Sequence, residues 1–171
     1  MNNLPANVLQ IYKIFDAMDT PIYLVGGCVR DMLLGETPKD YDFTVETTPE
    51  DIQTILKLYH IPFNAMSAKY GTIIARIGDE EYEITSTRKE ADYADNRHPE
   101  EVIFGVSLAE DLKRRDFTIN AMAMDNKGDI IDLFDGQKCL KNHLIKTVGD
   151  PEARFREDPL RIMRALRFSI T

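Results

Sequence analysis

The sequence predicts an α/β domain in which a small mixed, mainly antiparallel sheet is flanked by helices. Segments with apolar residues three and four apart alternate with short β-prone runs. Two of those runs, 71–77 and 81–87, are joined by Gly78-Asp79-Glu80, and another two flank a polar turn, Asp125 to Asp129, that contains Gly128; both have the form of hairpins. At 171 residues, with 43% hydrophobic and 29% charged content, the chain is long enough for one substantial core.

The first helix is expected over 5–18, where Val8, Ile11, Ile14, Phe15 and Met18 fall on one face. A strand at 22–25 runs into Gly26-Gly27, which permits a tight turn or a close approach to a ligand. Val29 to Leu34 then has helical spacing, and Gly35 ends it. Asp40 and Asp42 follow in a run rich in Tyr41, Phe43, Thr44 and Val45, and two residues apart on a strand share a face. Such a pair is either a solvated strand end or a site for a hard cation, which takes carboxylate, water and phosphate oxygens. A calcium loop is excluded, because no Asp/Asn and Gly follow at the required offsets.

Thr48 and Pro49 predict the N-cap and first residue of a helix carrying Ile52, Ile55 and Leu56, with its exit at Pro62. In the 81–87 run, Glu81, Glu83 and Thr85 alternate with Tyr82, Ile84 and Ser86, so one strand face carries acids; Glu81 reads as a solvated strand end. From Arg88 to Pro99 the polar composition reads as a mobile surface loop. Ser107 and Glu110 have capping-box spacing and open a helix with Leu108 and Leu112 inward. A short helix is expected at 136–142, a last strand at 144–148, and a single helix from Pro151 to the end, with Arg161, Arg164 and Arg167 opposite Ile162, Met163 and Leu166.

The net charge of −8 argues against a surface that grips nucleic acid throughout, although arginines gather at 154, 156, 161, 164 and 167. Cys28 and Cys139 lie far apart with no ligand at metal spacing, and His60, His98 and His143 are scattered, so neither a disulfide framework nor a zinc site is expected. No run approaches the roughly 18 apolar residues of a membrane helix, and the N-terminus, with Asn2, Asn3 and Pro5, has no basic-apolar leader. A cytoplasmic protein with no membrane partner is the expectation; no motif bears on oligomeric state.

The string Gly26-Gly27-x-Val29-Arg30-Asp31-x-Leu33-Leu34-Gly35, followed by Asp40-x-Asp42, closely resembles the active-site signature of the class II tRNA nucleotidyltransferase and bacterial poly(A) polymerase family. These are template-free RNA polymerases of the polymerase-β-like nucleotidyltransferase superfamily. Walker A and Rossmann spacings are both absent. Arg114 to Ala121 resembles the family's second signature, Glu157-Asp158-x-x-Arg161 its base-selection motif, and Glu83 the acid of its Glu-x-Thr-Thr-x-Arg strand. Asp95-Asn96-Arg97 stands where the family has Asp-Gly-Arg in a flexible element near the active site.

The resemblance implies a head at 1–147 and the start of a helical neck at 148–171, as though the chain were a catalytic-head fragment. It implies Asp40, Asp42 and Glu83 as catalytic carboxylates, with Asp40 and Asp42 holding Mg²⁺ in a two-ion site. Gly26, Gly27 and Arg30 would approach the phosphates, Arg115, Asp116 and Asn120 the nucleotide and its ribose, and Arg164 and Arg167 the triphosphate or RNA end. Asp158 and Arg161 would read the base. A carboxylate accepts from an exocyclic amino group and a guanidinium donates to a ring nitrogen, an edge that cytosine and adenine share. The implied reaction adds CMP and AMP, from CTP and ATP, to a tRNA 3′ end. CC-only, A-only and poly(A) addition remain open, as does a non-catalytic nucleotide- or RNA-binding module on the same fold.

Overall fold

The computed structural model of the chain describes residues 4–93 and 99–170. Helix α1 (Ala6–Asp16) buries Val8, Ile11, Tyr12, Ile14 and Phe15 against strand β1 (Ile22–Val25). Tyr12 adds a polar anchor, donating from its hydroxyl to the Met124 carbonyl at 2.7 Å and accepting from the Leu24 amide at 3.1 Å. That pairing lets a phenol sit 3% exposed without an unmet hydrogen bond. Helix α2 (Gly27–Leu33) follows directly, then strand β2 (Phe43–Val45) and helix α3 (Pro49–Leu58). The Thr48 side chain accepts from the Asp51 amide and Pro49 takes the first helical turn, as the sequence predicts.

Strands β3 (Phe63–Asn64), β4 (Thr72–Ile77) and β5 (Glu80–Ser86) come next; β6 (Arg88–Tyr93) and β7 (Pro99–Phe104) then precede helix α4 (Leu108–Lys113). Strands β8 (Met122–Met124) and β9 (Ile130–Asp132) and helix α5 (Gly136–Lys141) complete the layers. Seven strands form one sheet, ordered β3-β4-β5-β2-β1-β8-β9. Every neighbouring pair is antiparallel except β2 with β5. Phe43, Val45, Tyr82 and Ile84 point into the main core with α1 and α3. Leu108 and Leu112 of α4 pack with Val25 and Ala123 in a separate, smaller cluster.

Three expectations change. The polar stretch after Arg88 is not simply a loop: β6 and β7 pair as an antiparallel ribbon, with Arg88 opposite Phe104 and Tyr93 opposite Pro99. Asp95-Asn96-Arg97 and His98 lie outside the described residues. Residues 144–148 form no strand of the sheet. They pair briefly with 116–118, through one bridge between Phe117 and Thr147 and bonds from the Thr118 amide to Lys146 and from the Val148 amide to Asp116. The partner turns into a 3-10 segment at Thr118–Asn120, so the ladder stops there.

The terminal helix is also two helices, α6 (Pro151–Glu157) and α7 (Leu160–Phe168). Asp158 is extended at φ −148° and ψ 103° because Pro159 excludes its predecessor from the helical region and supplies no amide hydrogen. Both helices pack on the head through Phe155, Ala165 and Phe168, which meet Phe117, Ile119 and Cys139. Cys28 and Cys139 are buried free thiols, as expected, and burial pushes the Cys28 thiol up to about 11. No helix among the described residues is long and apolar enough to cross a membrane.

Candidate active site

The sheet's one parallel pairing places the acids. Phe43 of β2 is opposite Ile84 of β5, so Asp42 and Glu83, each one residue earlier, are lateral neighbours. Since Phe43 and Ile84 point into the core, alternation turns Asp42 and Glu83 to the opposite face. Both line a cleft of about 930 Å³ on that face. Burial raises the Asp42 pKa above the usual carboxylate range, and the charges of Glu83 and Asp40 raise it further, against the lowering effect of Arg115. Asp40 is therefore close enough to be felt, yet it is exposed and lies outside the lining of the cleft. The strand begins at Phe43, so Asp42 immediately precedes it and Asp40 sits two residues further back on the connection. Among the described residues no three His, Cys, Asp or Glu side chains are gathered closely enough to cage a metal by themselves.

The glycine turn borders the same cleft. Gly26 adopts φ 74° and ψ −130°, a conformation that disfavours L side chains, and a Cβ there would lie 3.3 Å from Arg115 Nη1. Its amide donates to Met122 O and its carbonyl accepts from Arg30, which fixes the turn between β1, α2 and β8.

Arg30 bonds Asn120 Oδ1 at 2.8 Å through Nη1 and grips Asp31 Oδ1 through Nε and Nη2. Asp116 Oδ1 accepts from the Phe117 amide at 2.7 Å and from Asn120 Nδ2 at 3.4 Å, and its Oδ2 accepts from Arg164 Nε at 2.6 Å. The implied ribose and phosphate residues thus form one continuous network from α2 through the 3-10 turn to α7.

On α7 Arg161 turns inward and is 7% exposed, while Arg164 and Arg167 stay exposed along the cleft and Ile162, Met163 and Leu166 are 48%, 63% and 57% exposed. Arg161 Nη1 donates to Glu157 Oε2 at 2.7 Å and to the Arg154 carbonyl at 2.9 Å. Asp158 Oδ1 accepts the Leu160 amide at 3.0 Å, and the residue lines the cleft with Arg161, Arg164 and Arg167. Phe168 lies within 5.1–5.7 Å of the guanidinium carbons of Arg30, Arg164 and Arg167 and meets Phe117 edge-on at 5.9 Å.

Sequence reasoning passed over the groups that hold these arginines. Asp111 is fully buried; Oδ1 accepts from Arg114 and from the Arg88 amide, and Oδ2 accepts from Arg115 at 3.1 and 3.3 Å. Burial alone would raise its pKa, but the Arg115 and Arg114 charges, with those hydrogen bonds, hold it below the usual carboxylate range. Its spacing of three and four from the two arginines on a helix was the available signal. Arg154 is a second such group. It donates to Val148 O, Lys113 O and Glu157, tying α6 to the head beneath Arg161.

The cleft's lining carries eight basic side chains, from Arg30, Lys69, Arg88, Arg114, Arg115, Arg161, Arg164 and Arg167, against four acids, Asp42, Glu83, Asp116 and Asp158. On a chain of net charge −8 this is a local inversion suited to a polyanion.

Adjacent strand acids beside a glycine turn, in a cleft walled by arginines on a mixed, mainly antiparallel sheet, define a polymerase-β-like nucleotidyltransferase head. A family model described as "Poly A polymerase head domain" matches residues 22–146, and the chain belongs to that family. A CCA-adding enzyme of Oceanobacillus iheyensis is 52% identical over 147 residues, 86% of this chain and 36% of the relative. One from Enterococcus faecalis is 46% identical over 159 residues, covering 93% of this chain and 38% of the relative.

Among solved structures, the Bacillus stearothermophilus CCA-adding enzyme in complex with CTP matches with a TM-score of 0.82 and 41% identity, covering 94% of this chain and 38% of that one. A tRNA nucleotidyltransferase complexed with a primer tRNA and an incoming ATP analog matches with a TM-score of 0.75 and 35% identity, over 93% of this chain and 42% of that one. The chain therefore spans well under half the length of these relatives. Nucleotidyltransferases of the family generally use divalent metals.

Proposed function

We propose that the chain is the catalytic head, residues 1–147, and the beginning of the neck, 148–171, of a cytoplasmic tRNA nucleotidyltransferase that adds C and A to the tRNA 3′ end. The observation that carries the reading is the lateral placement of Asp42 and Glu83 on the floor of a basic cleft, with the Asp158/Arg161 pair on its wall. CTP in one solved relative, and primer tRNA with an ATP analog in another, support the choice of substrates.

The residues fit a magnesium site. Asp42 is half-buried beside two other carboxylates that disfavour its ionisation, and a hard cation relieves that repulsion through oxygen ligands. Asp40 and Asp42 would hold the metal, with Glu83 beside them. When bound, such ions supply Lewis-acid neutralisation of the phosphates and lower the pKa of a coordinated hydroxyl. The RNA 3′-oxygen forms a bond to the α-phosphorus, the α–β phosphoanhydride bond breaks, pyrophosphate leaves with the electron pair, and the hydroxyl proton passes to solvent.

The chain's part is to hold the reactants. Gly26 and Gly27 bring backbone to the phosphates, and Arg30, Arg164 and Arg167, gathered around Phe168, face the triphosphate. Arg115, Asp116 and Asn120 orient the ribose side. Asp158 accepts from the exocyclic amine of C or A and Arg161 donates to the ring nitrogen, a pattern that U and G leave unpaired. In the full-length protein, Asp42→Ala is expected to abolish Mg²⁺-dependent incorporation of labelled CTP into tRNA lacking its CCA end. Retained turnover refutes the reading, and product lengths with CTP alone, ATP alone and both distinguish CCA addition from CC, A or poly(A) synthesis.

A further inference from the structure

The carboxylates have two flanks. In the sheet order, β5 carries Glu83 and β2 is entered through Asp42, β1 with its glycine turn lies on one side, and β4 lies on the other. The residues given to the nucleotide gather on the β1 side, through α2, the 3-10 turn and α7. The cleft continues past Glu83 to Thr85, Thr72, Lys69, Tyr70 and Arg88, which that assignment leaves unused.

Thr72 and Thr85 bring their hydroxyls within 3.0 Å, one register step along β5 from Glu83 on the same face. Beyond them Tyr70 is 56% exposed, yet its backbone is firmly held. Its amide donates to Ser67 O at 2.9 Å, and its carbonyl accepts from the Arg88 guanidinium. Gly71 turns the chain at φ +90°, where the Phe104 ring would lie 2.7 Å from any added Cβ. Lys69 Nζ sits 4.8 Å from the Tyr70 ring centroid. An exposed aromatic ring on a held backbone, with Lys69 over one face and Arg88 and two hydroxyls nearby, has the components that bind a single-stranded nucleotide by base stacking, phosphate pairing and ribose hydrogen bonds.

In-line displacement sets the attacking and leaving oxygens on opposite sides of phosphorus. With the leaving pyrophosphate on the β1 side, the attacking hydroxyl enters from the β4 side. We infer that Tyr70, with Lys69, Arg88 and the Thr72–Thr85 pair, seats the 3′-terminal nucleotide of the acceptor RNA by stacking its base and aiming its hydroxyl at Asp42 and Glu83. The inference rests on the transferase reading above.

The test uses the full-length protein, a tRNA transcript ending at the nucleotide before CCA, and labelled CTP. Tyr70→Leu lowers kcat/KM for RNA at saturating CTP by about tenfold, the order expected for one lost stack. The Kd for CTP, measured without RNA, stays at the wild-type value. Tyr70→Phe, which keeps the ring, recovers most of the lost RNA efficiency. An unchanged RNA efficiency in Tyr70→Leu, a parallel loss of CTP affinity, or a Phe variant as impaired as the Leu variant overturns the inference. Wild-type protein that extends no RNA removes the transferase reading itself, whereas active wild type with an unaffected Tyr70→Leu removes only the acceptor seat.

Discussion

The floor and the wall of the cleft are built on opposite terms. Asp42 and Glu83 owe their adjacency to backbone ladders on both sides of β2, and the short Asp42 side chain, on the residue that enters β2, leaves little freedom in where its charge sits. The arginines of the wall end long, flexible stems, and each is set by side-chain partners: Asp111 for Arg115, Glu157 for Arg161, Asp116 for Arg164. An arginine gives up about 2 kcal/mol of rotamer entropy when fixed, so such partners are needed to hold it. The contrast teaches a division of labour. Under the proposed function, groups that serve one chemical step stand at the sheet, and groups that accept either of two bases stand at helices held by exchangeable bonds.

Four substitutions test that division. Removing a floor acid is the most damaging: under the proposed mechanism Asp42→Ala lowers the incorporation rate by on the order of a thousandfold, several kcal/mol of lost charge stabilisation, in single-turnover assays. Loss confined to KM would place Asp42 with the wall instead.

Next is Asp111→Asn, which strips a buried carboxylate from two guanidiniums. We expect about 3–5 kcal/mol of destabilisation, read from urea denaturation. Because the folded-state pKa of Asp111 is depressed, its contribution is fully present above the unfolded value near 3.9 and disappears as pH falls through the folded value. The wild-type advantage over the variant therefore shrinks only in acid; a gap that stayed constant from pH 7 down through the folded value would assign the loss to packing.

Asp158→Ala is smaller and acts on the wall, where it also removes the acceptor of the Leu160 amide. Discrimination against UTP and GTP falls by about 1–3 kcal/mol, measured as competing incorporation, and unchanged selectivity rejects the base-reading role. Glu81→Gln is the smallest: exposed on β5 and outside the cleft's lining, it alters stability by no more than about 0.5 kcal/mol and leaves turnover in the same assay intact.

How much could be read in advance follows from the range of the forces. Local signals were legible: the Thr48 cap, the hairpin at Gly78, the alternation that puts Glu83 opposite Ile84 in facing, and the glycine turn. The parallel union of β2 with β5 was not, because α3, β3 and β4 intervene and no residue near Asp42 names its partner strand. The ribbon of β6 and β7 was hidden for another reason: β6 is mostly charged and β7 passes from Glu100-Glu101 to a block of Val102-Ile103-Phe104, so neither shows apolar alternation. The break before α7 was legible and was missed, since Pro159 stands in plain view. Asp111 and Arg154 were legible only as helix spacings; their real partners, the Arg88 amide and the Val148 and Lys113 carbonyls, belong to tertiary structure.

Under the proposed function, that break gives Asp158 two duties, one for each carboxylate oxygen. One carboxylate oxygen holds the opening amide of α7, which under the proposed function leaves the second to meet an incoming base. Removing the side chain would thus loosen the helix start and blind the reader together, whereas an amide in its place keeps the first bond and reverses the second from acceptor to donor. On the proposed base-reading role, helix initiation and the choice of nucleotide share a single side chain, so a change in base preference at this position is free of a folding penalty only when the replacement still accepts the Leu160 amide.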